Sequence, residues 1–143
     1  MTEKRRFDVS LRMTVFFGPG SIPLEAEALH QIRLAFTLGT KRDPALVAVG
    51  EGFPDAREAD LVFLVDPDGC REVLGDAPED RGIWHLGSDA RALALAILDC
   101  KQPEPAARAL RTIKSVELLW TIIAGLHEDR LVPADSSGML GEL

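Results

Sequence analysis

From residue 7 to residue 17 apolar and polar side chains alternate. Phe7, Val9, Leu11, Met13, Val15 and Phe17 take one side, and Asp8, Ser10, Arg12 and Thr14 the other. A period of two marks a strand with one wet face, and here it predicts one long strand near a sheet edge. Phe16 interrupts the polar side just before Gly18-Pro19-Gly20-Ser21, so the strand is expected to become buried where it ends at that turn. The period then changes. Leu24, Ala28, Ile32 and Phe36 recur at helical spacing and predict a helix over 23–38, with Pro23 in its first turn and Gly39 just past its end.

Residues 45–49 and 61–65 are continuous apolar runs, Ala-Leu-Val-Ala-Val and Leu-Val-Phe-Leu-Val. Such runs fit strands buried on both faces, and so predict a parallel sheet covered by helices. Between them, residues 54–59 leave room for a short helix or a loop. Asp66-Pro67-Asp68-Gly69 reads as a turn, followed by a short helix around 70–74 and a polar loop to Arg81. Ile83-Trp84-His85-Leu86 reads as a brief fourth strand. Ser88 or Asp89 is placed to cap a helix to about Cys100. After Gln102-Pro103-Glu104-Pro105 a last helix is expected to about Glu128, roughly 36 Å long. The expected fold class is α/β: a three-layer Rossmann-like or flavodoxin-like domain over residues 1–130, with a tail at 131–143. Its sheet would be mostly parallel, with four to five strands.

The last helix carries two apolar sides. Ala106, Ala109, Leu110, Ile113, Val116, Trp120 and Ile123 form the expected core stripe. In the second half Leu118, Leu119, Ile122 and Leu126 make the opposite side apolar too, where the first half has Arg108, Arg111 and Ser115. A helix apolar all round is buried all round. Those four residues are therefore a candidate interface, covered either by the tail or by another subunit. A homodimer or a protein partner through this helix is the expectation.

The length of 143 residues suits one domain that buries roughly 70% of its unfolded surface. The formal charge of −7 argues against nucleic acid as a partner. Within that balance Lys4-Arg5-Arg6 reads as a solvated entry to the first strand. Cys70 and Cys100 stand thirty positions apart without a CxxC or clustered histidines, which excludes the familiar zinc spacings and argues against a disulfide framework. No metal site is expected. Charged and polar residues interrupt every apolar stretch before Gly18, against a signal peptide, and no run reaches the ~18 apolar residues of a membrane span. These features predict a cytoplasmic protein with reduced thiols and no membrane association.

Ligands of open parallel sheets bind beyond the carboxyl ends of the strands. In such a sheet four loops would converge: 18–21, 50–52, 66–69 and 85–89. Gly18, Gly20, Ser21, Gly50, Gly87 and Ser88 are the candidate ligand-binding positions, because glycine admits close backbone approach and a helix start offers free N–H groups to an anion. Residues 18–21 serve equally as an ordinary tight turn, and Pro23 stands where a GxGxxG fingerprint needs its third glycine. His85, with Glu51 or Asp66, is the candidate for acid–base chemistry, and Asp68 is a further carboxylate in the same cluster. His30 and His127 receive no role, and no cofactor is assigned.

The stretch Asp60-Leu61-Val62-Phe63-Leu64-Val65-Asp66-Pro67-Asp68-Gly69 resembles the third strand and turn of response-regulator receiver domains over about ten residues. The resemblance would make Asp66 the phosphorylated aspartate, slightly out of register. Phe16-Phe17-Gly18-Pro19 stands where receivers carry their paired acidic residues. With residues 70–74 the same stretch resembles a strand–turn–helix of hydroxyacid dehydrogenase cofactor domains. The function expected on balance is a non-catalytic accessory or regulatory subunit that acts by association, with a small anionic ligand at the strand ends. The alternative is a small enzyme acting on a phosphorylated or nucleotide substrate.

Overall fold

The first alternating segment folds into a hairpin. In the structure, a computed structural model that describes residues 3–23, 32–39, 45–50, 58–75 and 82–134, β1 spans Arg5–Ser10 and β2 spans Met13–Phe17. The two pair antiparallel across a turn at Leu11 and Arg12, where the Arg12 amide donates to the Ser10 hydroxyl at 3.1 Å. Beyond a bulge between Asp8 and Ser10, Phe7 faces Val15 and Arg5 faces Phe17. Odd residues pair with odd residues, so the period of two runs through the turn in phase. That is why the reversal is invisible in the pattern.

Among the described residues four more strands join the sheet: β3 (Ile32–Thr37), β4 (Leu46–Val49), β5 (Leu61–Val65) and β6 (Gly82–His85). The order is β1-β2-β5-β3-β4-β6, and every neighbouring pair is antiparallel. The expected mostly parallel, Rossmann-like or flavodoxin-like sheet is therefore corrected. β4 and β5 do point the same way and are buried on both faces, but β3 lies between them and runs against both. Burial on both faces requires cover on both faces; it does not set strand direction. The strand that decides direction was read as the end of a helix. Ile32 and Phe36 lie four apart, a spacing shared by a helix turn and by every second alternation of a strand. Leu34 between them settles the period at two. Residues 24–31 of that expected helix lie outside the described residues.

The core follows the pleat. On one face Met13, Val15, Phe17, Leu34, Phe36, Val47, Val49, Leu61, Phe63 and Val65 form one buried cluster, with Phe36 and Phe63 edge to face at 4.9 Å. On the other face Phe16, Ala35, Ala48, Val62 and Leu64 form a smaller cluster with Ile22 and Ala59. The helices among the described residues are α1 (Pro67–Leu74), α2 (Ser88–Leu98) and α3 (Ala106–His127). Cys70 of α1, Ala90, Ala94 and Ile97 of α2, and Leu118, Leu119, Ile122 and Ile123 of α3 pack into the larger cluster. An antiparallel sheet with helices against it is an α+β arrangement.

The outer edge of β6 is closed by the chain itself. The His85 amide donates to Val132 O at 2.8 Å, the Ala134 amide donates to Ile83 O at 2.9 Å, and Trp84 bridges Pro133. The first residues of the expected tail are thus sheet-bound. Residues 135–143 lie outside the described residues. Among the described residues no helix is long and apolar enough to cross a membrane.

Candidate functional site

The four loops expected to converge are divided between the two ends of the sheet. β2 and β6 end beside the start of β5, whereas β4 and β5 end at the opposite side. Gly18, Gly20 and Ser21 therefore share an end with Gly87 and Ser88, but four strand spacings, about 19 Å, separate β2 from β6. Gly50 lies at the far end, where its amide donates to Arg33 O at 2.9 Å. His85 is level with Asp60 through the ladder, six residues from Asp66, or about 20 Å along the strands. The two are not brought together, and Glu51 lies outside the described residues.

Each of these positions has a local task instead. The Asp66 carboxylate accepts from the Asp68 amide at 2.9 Å and caps α1, with Arg12 at 3.8 Å from its other oxygen. Asp66-Pro67-Asp68-Gly69 is thus a helix start, not a turn, and Pro67 suits its first position. In loop 18–21 the carbonyls of Gly18 and Ser21 are taken. The Lys4 ammonium donates to Gly18 O and Ala59 O, and the Lys4 amide donates to Ser21 O at 2.8 Å. Burial lowers the Lys4 pKa, partly offset by Asp60. Gly87 is the residue before α2, with no side-chain cap there, and Ser88 opens the helix.

The candidate interface residues are covered by the chain's own sheet. Leu118, Leu119 and Ile122 are buried in the larger cluster, and Leu126 packs at its margin. The stripe expected to be core faces out in part, with Ile113 61% exposed and Trp120 54% exposed.

The structure instead assembles a basic pocket where β1 passes the start of α3. Its volume is about 440 Å³, and it is lined by Arg5, Arg6, Phe7, Asp8, Phe17, Glu104, Arg108 and Arg111. Phe17 is its organising side chain. The Arg5 guanidinium lies 4.7 Å and the Arg111 guanidinium 4.5 Å from the Phe17 ring centroid, and Phe7 meets the same ring edge-on at 5.7 Å. Cation–π contact fixes both arginines without neutralising them. Arg111 is 6% exposed and anchored by donation from Nε to Ile97 O of α2 at 2.9 Å. Arg6 is ion-paired with Asp8 at 3.3 Å. No carboxylate among the described residues lies within ion-pairing distance of Arg5, Arg108 or Arg111, although Glu104 lines the same pocket. Three guanidiniums around one pocket, without an ion-pair partner among the described residues, can bind an anion bidentately.

Sequence reasoning missed this site. Arg108 and Arg111 were visible as a polar patch three apart on one helix side, and Arg5 as part of a basic run, but nothing in the chain order places β1 beside α3. A second pocket of about 70 Å³ beside Cys70 is mainly apolar, with Arg12 its charged member. Among the described residues no group of three His, Cys, Asp or Glu side chains could hold a metal ion.

Fold and pocket together describe an antiparallel α+β domain with a basic cleft at one sheet edge. No protein-family model, curated protein or solved structure matches the chain.

Proposed function

We propose that the chain is a non-catalytic accessory protein that binds a small anion or anionic group in the arginine pocket between β1 and α3. The observation that carries this reading is the set of three guanidiniums, Arg5, Arg108 and Arg111, facing a common pocket without carboxylate partners among the described residues, in a chain of net charge −7. An acidic protein that holds guanidiniums in a cleft concentrates positive potential there. Compared with the expectation from sequence, the ligand moves from the strand ends to the sheet edge. For the acid–base alternative, His85 and Asp66 stand apart along the strands, and Glu51 lies outside the described residues.

Calorimetric titration at low salt with inorganic phosphate and with glutarate tests the reading. Each should bind, and Arg108→Glu, at an exposed position, should weaken both about tenfold or more. Absence of binding at millimolar anion, or binding indifferent to Arg108→Glu, refutes it.

A second reading keeps association through the last helix but moves it to the outward stripe. Ile113 and Trp120, with half-buried Val116 between them, are an apolar strip beside the Lys114–Glu117 ion pair. A second copy packed antiparallel would set Ile113 toward its Trp120 and bring opposite charges within reach. Sedimentation at micromolar concentration should then show a dimer that Trp120→Lys dissolves; a wild-type monomer would exclude it.

A further inference from the structure

The two edges of the sheet are treated differently by the fold. At β6 the chain supplies its own cover, through Val132, Pro133 and Ala134. At β1, six residues long, β2 is the one ladder partner among the described residues, and none of the described strands lies on the outer side. An edge of this kind presents a row of unpaired N–H and C=O groups to any extended chain that arrives. Proteins commonly defend such an edge with charge, and Arg5, Arg6 and Asp8 are charged. Here, however, the charge is part of a cleft. The pocket touches four consecutive residues, Arg5, Arg6, Phe7 and Asp8. Consecutive strand residues point to opposite faces, so a cavity in contact with all four runs along the strand's outer edge.

We propose that the outer edge of β1 accepts an acidic peptide in extended conformation as a further strand of the sheet, its carboxylates set against Arg5, Arg108 and Arg111. The proposal rests on the anion-pocket reading and names the ligand of that pocket. Strand addition draws affinity from main-chain hydrogen bonds and specificity from alternate side chains. Alternate side chains of an added strand lie about 6.8 Å apart on one face. The Arg5 and Arg111 guanidinium carbons, both resting on the Phe17 ring, are no more than about 9 Å apart, which two such carboxylates span. The Phe7–Phe17 pair offers an apolar surface beside them. A basic or neutral peptide would find an unpaired cationic cleft, so the same arginines that admit an acidic strand exclude others.

The test uses the full chain and a labelled, end-capped hexapeptide alternating glutamate and valine, read by fluorescence anisotropy at low salt. Glutarate is the small-anion comparator. Two further peptides carry N-methyl groups on one or the other set of alternate backbone nitrogens, covering both registers. The expected result is binding at least about tenfold tighter than glutarate, lost about tenfold or more in Arg108→Glu. One methylated peptide should also bind about tenfold more weakly, and the other should bind like the parent. A lysine–valine peptide should not bind. If glutarate binds and responds to Arg108→Glu, but the peptide binds no tighter or both methylated forms match the parent, strand addition is overturned and the anion pocket stands. If neither glutarate nor the peptide binds, both fall. Peptide binding that survives Arg108→Glu combined with Arg5→Ala overturns the charge pairing.

Discussion

Which side of α3 faces the sheet can be decided by two truncations of the same residue type. Ile122 is fully buried between the helix and the sheet, and Ile113, on the same helix, is 61% exposed. Ile122→Ala removes methyl and methylene groups from a filled site and leaves a cavity, a change that costs about 2–5 kcal/mol. For 143 residues the entropy of unfolding near the midpoint is about 0.3 kcal/mol/K, so a loss of about 3 kcal/mol lowers Tm by about 10 °C. Ile113→Ala gives up little buried area and gains helix propensity, so its effect should stay within about 0.5 kcal/mol of zero. Urea denaturation followed by circular dichroism measures both, and unchanged m-values confirm that the folded and unfolded states are comparable. If Ile113→Ala proves the more destabilising, α3 is docked by the other face, and the exposed strip and the position of Arg111 fall with it. Ile122→Arg is expected not to fold, because it places an unpaired charge in the centre of the larger cluster, where a total stability of about 5–15 kcal/mol leaves no margin.

Three further outcomes are expected. The buried Ser115 hydroxyl has no hydrogen-bond partner among the described residues, so Ser115→Ala should stabilise the protein by about 1–2 kcal/mol; a loss of stability would show that the hydroxyl is satisfied. The folded pKa of Lys4 is lowered by burial below the ordinary 10.5, so between those values the unfolded chain holds more protons and the Lys4 contribution becomes more favourable as pH rises. Urea midpoints from pH 8 to 10.5 should therefore rise for wild type relative to Lys4→Met; a falling difference would contradict the burial of that ammonium. Burial, with Asp66 adding and Arg71 opposing, pushes the Cys70 thiol up to about 11, while Cys100 is half-buried. Thiol reagent at pH 8 should label Cys100 first, and prompt labelling of Cys70 would contradict its place in the core.

Much of the local structure was legible because it depends on short-range pattern. The runs at 45–49 and 61–65 became β4 and β5, and the helices after residue 87 and after Pro105 formed close to the expected bounds. Two features were hidden by arithmetic. In the β1–β2 hairpin the partners from Arg5 to Asp8 share parity, so the apolar alternation of the two strands stays in phase along the chain. In β3 a spacing of four between Ile32 and Phe36 satisfies helix and strand alike. On α3 both sides of the second half are apolar, so periodicity alone could not choose between Ile122 and Trp120.

By itself, then, the sequence determined where the chain is apolar enough to be buried, where most elements begin and end, and that the molecule is acidic. Strand direction, the docked face of α3 and the arginine pocket were decided by tertiary structure. The physical reason is common to all three. Hydrophobic burial is nondirectional, so an apolar run records that a residue goes inside but not against what. Arg5 and Arg108 lie 103 residues apart, and they line one pocket only because the hairpin places β1 at the sheet edge beside the start of α3.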